Sequence, residues 1–73
     1  MTDRLRPFDV VRFRKGLADH GVVAGARGVV LEVHESPSLA YEVEVTDDDG
    51  RTVFFGAVDS DYVERETPDS SSH

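Results

Sequence analysis

Apolar and acidic residues alternate strictly over residues 41–45: Tyr41, Val43 and Val45 fall on one side of an extended chain, Glu42 and Glu44 on the other. Strand side chains point to opposite faces with a period of two, so the pattern predicts an antiparallel strand with one buried and one wet face. Asp47, Asp48, Asp49 and Gly50 follow. Asp-Gly accepts positive φ and predicts a tight hairpin, with a return strand over residues 51–58 and Val53 and Phe55 or their neighbours facing inward. Upstream, residues 28–35 (Gly-Val-Val-Leu-Glu-Val-His-Glu) form the most apolar stretch. It is β-branched and too short for a stable helix, which predicts another strand. Ser36, Pro37 and Ser38 then break the chain, because proline donates no ladder hydrogen bond.

Residues 8–13 (Phe-Asp-Val-Val-Arg-Phe) read as a first short strand with Val11 and Phe13 turned inward. Residues 14–26 hold glycines at 16, 21 and 25 and no helical period, which predicts a long loop pinned by Leu17. Asp59, Ser60 and Asp61 suggest a single turn, and residues 62–64 a last strand returning against the first. Five short strands, a long early loop, a tight hairpin and a turn before the final strand make an all-β plan, a small five-stranded SH3-like barrel over residues 8–65. Residues 1–7 are left as a flexible N-terminus, and residues 66–73, rich in serine and acid, as a disordered tail. The expected core is Val11, Phe13, Leu17, Val30, Val33, Tyr41, Val43, Val45 and Val53.

Asp9-Val10-Val11, Asp19-His20-Gly21, Gly25, Gly28-Val29-Val30, Glu32-Val33, Tyr41-Glu42-Val43-Glu44-Val45 and Asp49-Gly50 together resemble a family of small bacterial proteins, the domain of unknown function 4926. The resemblance implies an SH3-like fold; the association of members with toxin-type genes implies an immunity role. Residues 25–33 also resemble the KOW element of ribosomal and transcription-factor barrels, which implies RNA. Here, however, Arg14, Lys15 and Arg27 are opposed by Asp19, Glu32 and Glu35.

At 73 residues the chain holds one modest core, with no room for a cleft between lobes. Without cysteine there is neither a disulfide framework nor a thiolate zinc site. No apolar run is long enough to span a bilayer and none follows Arg4 and Arg6 as a signal peptide requires, so a cytoplasmic location is expected. Fifteen acidic residues against eight basic ones give a formal charge of -7. That field repels a phosphate backbone over most of the surface and argues against nucleic acid as a partner.

Candidate chemistry is sparse. His20 and His34 with a carboxylate would offer zinc ligands, but their spacing fits no metal motif, and His73 lies in the tail. Three consecutive aspartates do not offer the alternate ligands of a calcium loop. The serines at 36, 38, 60 and 70–72 have no partnering histidine, and the glycines precede no helix and lysine. Neither catalysis nor a cofactor is expected. What remains is a surface: Glu32, Glu42 and Glu44 on adjacent strands, with Asp47, Asp48 and Asp49 at one end. The expectation is a non-catalytic protein-binding module, an immunity or toxin-neutralising protein whose acidic strand face meets a basic partner. The alternatives are a KOW-like RNA- or ribosome-associated barrel and an accessory subunit docking a larger enzyme complex.

Overall fold

The computed structural model describes residues 4–66. Five antiparallel strands, β1 (Val10–Phe13), β2 (Arg27–His34), β3 (Ala40–Thr46), β4 (Thr52–Asp59) and β5 (Val63–Arg65), form one sheet in the order β4-β3-β2-β1-β5. Two 3-10 turns, Ala18–His20 and Ser60–Tyr62, interrupt the connections. Strand order and the turn before β5 follow the SH3-like plan, but the barrel is open: β4 and β5 are the sheet's two edges and do not pair. No helix among the described residues is long and apolar enough to cross a membrane.

The alternation in β3 dictates the core. Tyr41, Val43 and Val45 are buried and pair across β4 with Val58, Gly56 and Phe54. On the other side Val43 faces Val30, and Val11 and Phe13 of β1 lie opposite Gly28 of β2 and Val63 of β5. Leu5, Val22, Val58 and Val63 complete the buried cluster, against which Leu17, Val33 and Phe54 pack part-buried. Burying side chains of this size contributes roughly 1.5–3 kcal/mol each, which a chain with no covalent cross-link needs.

Three features depart from the sequence reading. Val53, expected in the core, is exposed at 39%, and of the two facings open to the return strand the structure takes the neighbours: Phe54 and Val58 turn inward, and Phe55 is exposed at 57%. The cause is a register shift: Val45 pairs with Phe54 and Thr46 with Thr52, so Val53 is an extra residue that reverses the facing of the strand after it. Gly56, two residues on, leaves room for the Phe54 ring, which lies 3.1 Å from where a Cβ would stand. Second, Leu5 is buried, its N–H donating to the Tyr41 hydroxyl at 3.3 Å, although residues 1–7 read as a flexible N-terminus. Third, Glu66 is anchored: its N–H donates to the Val10 carbonyl at 2.9 Å. The rest of the expected tail, residues 67–73, lies outside the described residues.

Leu17 shares the pinning of the long loop with Val22. The two form an isolated antiparallel bridge, and Val22 is the more deeply buried. The hairpin between β3 and β4 rests on Asp47, whose Oδ1 accepts the N–H groups of Asp49 and Arg51, each at 2.9 Å. Gly50 takes φ +84°, the left-handed conformation that an Asp-Gly turn requires.

Candidate functional site: an acidic strand face

The outer face of the sheet follows from the same alternation. Glu32 of β2 stands directly opposite Glu42 of β3, and Glu44 lies between Val29 on one neighbour and Phe55 on the other. A second register shift, at Leu31, produces this alignment, since Val30 still pairs with Val43. The three glutamates expected on adjacent strands are therefore brought together. Like charges directly opposite cost roughly 0.2–1 kcal/mol per pair.

Little relieves that repulsion. His34, two residues beyond Glu32, brings Nε2 to 3.3 Å from Oε1 of Glu42. The Thr52 hydroxyl donates to Oε2 of Glu44 at 2.7 Å. Among the described residues, none of Glu32, Glu42 and Glu44 is paired with a lysine or arginine. The ligand atoms of Glu32, His34 and Glu42 lie within 4.8 Å of one another, the described set best placed to hold a cation. His20 is not part of it. Its ring sits 5.0 Å from Phe54, opposite Val45, while His34 pairs with Ala40 at the other end of β3.

The three aspartates differ in role. Asp47 is occupied with the backbone of its own turn, whereas Asp48 and Asp49 are exposed carboxylates beside the end of β3. The tip thus extends the acidic strip beyond Glu44.

Among the described residues, six of the eight basic side chains, all but Arg6 and Arg51, are engaged by groups other than Glu32, Glu42 and Glu44. Glu66 is held by Nε and Nη2 of Arg27, each at 2.8 Å, and by Arg12 at 3.0 Å. The paired hydrogen bonds from Arg27 lower the Glu66 carboxyl below its ordinary range, and Glu66 in turn raises the Arg27 guanidinium. Arg14 lies 3.7 Å from Glu64, Lys15 sits over the Tyr62 ring, and Arg4 pairs with Glu35. Asp9 accepts the Arg6 N–H and an Arg65 Nη1 hydrogen bond, both at 2.8 Å. The backbone bond foremost, then the arginine, lower its carboxyl below the usual value. Sequence reading missed this network because its partners stand up to 56 residues apart.

Fold and surface together define a small, open, five-stranded antiparallel β module with an acidic outer face. The chain belongs to the family described as a domain of unknown function (DUF4926), whose model matches residues 7–65. No curated protein and no solved structure matches it.

Proposed function

We propose that the protein is a non-catalytic protein-binding module whose acidic strand face docks a partner with a basic surface, as an immunity protein does when it neutralises a basic toxin. The observation that carries this reading is the face-to-face pairing of Glu32 and Glu42 beside Glu44, without a lysine or arginine to compensate. A fold that tolerates such repulsion gains when a cationic partner relieves it. Phe55, exposed on the same face opposite Glu44, adds an aromatic anchor of the kind that dominates binding energy.

The RNA-binding alternative draws no support from the long loop. Arg12, Arg14, Lys15 and Arg27 would have to form a free basic patch, and each is engaged by a carboxylate or a ring.

The test is kinetic. With the partner isolated by affinity capture, association is measured at low and high salt for the wild type and for Glu42→Gln combined with Glu44→Gln. Electrostatic docking predicts fast association that falls as salt rises, and slower association by the double variant. Equal rates in all four measurements would mean that the acidic face only keeps the protein soluble.

A further inference from the structure

The two edges of the open sheet are built differently. β5 has three residues, Val63, Glu64 and Arg65, and its shortness and charge discourage pairing. β4 runs for eight residues, Thr-Val-Phe-Phe-Gly-Ala-Val-Asp, with no lysine or proline to blunt it. The Ser60 N–H donates to the Leu39 carbonyl at 3.2 Å, which fixes the hydrogen-bonding phase of the hairpin. Antiparallel pairs alternate between bonded and non-bonded, so Tyr41/Val58 and Val43/Gly56 are bonded pairs. The main-chain N–H and C=O groups of Phe55, Ala57 and Asp59 then point away from β3, out of the sheet edge. Among the described residues, no hydrogen bond from another segment reaches them.

We infer that β4 receives an extended segment of the partner by strand addition, and that this segment carries arginine or lysine at alternate positions. The inference rests on the acidic-face reading and names the form the partner takes there. Charge decides the occupant. A second copy would bring its own -7 and a second row of glutamates to the seam, whereas a basic strand brings complementary charge. Reach agrees with this choice. Adjacent strands lie about 4.8 Å apart, so an added residue opposite Ala57 stands about 10 Å from the Glu42 backbone. Only the Ala57 methyl intervenes on that face, because Ala57 pairs directly with Glu42. An arginine extended across it meets the carboxylate, and the next arginine on that face, two residues along, lies beside Phe55 and reaches toward Glu44. Main-chain bonds supply affinity and alternate side chains supply specificity, the division of labour of edge-strand recognition.

The probe is a synthetic peptide that alternates arginine with valine over the length of β4, titrated into the full chain with amide exchange followed by NMR. Strand addition predicts that exchange at Phe55, Ala57 and Asp59 slows by roughly tenfold or more at saturation. Ala57→Pro removes an outward N–H where an edge strand tolerates proline, and weakens binding by roughly tenfold. If that variant loses the native spectrum, a peptide N-methylated on the bonding edge reads the same interaction from the other side.

Binding that survives both changes, with shifts centred on Glu42 and Glu44 and unchanged edge exchange, overturns strand addition and leaves face docking standing. Binding insensitive to Glu42→Gln with Glu44→Gln overturns the acidic-face reading instead. No binding at millimolar peptide, or a free protein that sediments as a dimer paired through β4, overturns the inference.

Discussion

Gly28 and Gly50 are both turn-flanking glycines in the sequence, yet they are needed for different reasons. At Gly50 the requirement is conformational, since φ is +84° and a Cβ there would meet no other atom within 4 Å. At Gly28 it is steric: a Cβ would stand 3.1 Å from the Glu44 carbonyl and 3.3 Å from Val45 Cγ2, where β2 passes close to β3. Gly50→Val is expected to destabilise by about 1–2 kcal/mol through backbone strain. Gly28→Val is expected to do so by about 1–3 kcal/mol through overpacking. In a domain of this size each kcal/mol shifts the thermal midpoint by roughly 4–8 °C, so melts resolve both. Gly50→Asn separates the mechanisms, because asparagine accepts positive φ and should retain most of the stability. Phe8 is the converse case, an exposed non-glycine residue at φ 74°. Phe8→Gly relieves that strain and is expected to leave the melting midpoint unchanged or raised.

Among the elements, β4 shows how one extra residue rewrites a strand. Its shift at Val53 places Phe54 over the core and Phe55 in solvent, so Phe54→Ala should cost about 2 kcal/mol or more and Phe55→Ala no more than about 0.5 kcal/mol. Equal losses in denaturant titrations would mean that the register is wrong. The β2–β3 ladder carries the opposite kind of tension. Glu32→Gln removes one of two facing carboxylates without touching the His34–Glu42 contact, and should raise stability by up to about 1 kcal/mol. A rise that disappears in high salt would identify its origin as charge.

Across the described residues, long-range ion pairs tie Asp9 to Arg65 and Glu66 to Arg12 and Arg27, and they give stability a pH dependence. Folding holds Asp9 and Glu66 below their ordinary carboxyl values, so the stability they contribute is present above the unfolded value and lost as pH falls through the folded one. The loss should begin below about pH 4.5 and deepen toward lower pH. Thermal midpoints of Asp9→Asn and Glu66→Gln from neutral to acid pH should therefore fall less steeply than those of the wild type. Parallel curves would mean that these carboxylates do not couple to folding.

The strand content, the β3 hairpin and the inward set Val11, Phe13, Val30, Tyr41, Val43 and Val45 were legible because period-two alternation and Asp-Gly chemistry act over a few neighbouring residues. The same alternation made Glu42 and Glu44 one face. Tertiary structure alone decided the rest. The shifts at Leu31 and Val53 arise from fitting one strand to another, and they set which carboxylates face each other and which phenylalanine is buried. Leu5 carries no periodic context, and its burial depends on Tyr41, 36 residues away. The sequence set Asp19, Glu32 and Glu35 against the basic residues of the loop, but folding pairs Arg14 with Glu64 and both Arg12 and Arg27 with Glu66. Local pattern determines which residues can face inward; only the closed set of contacts determines which charges are left over for something else to meet.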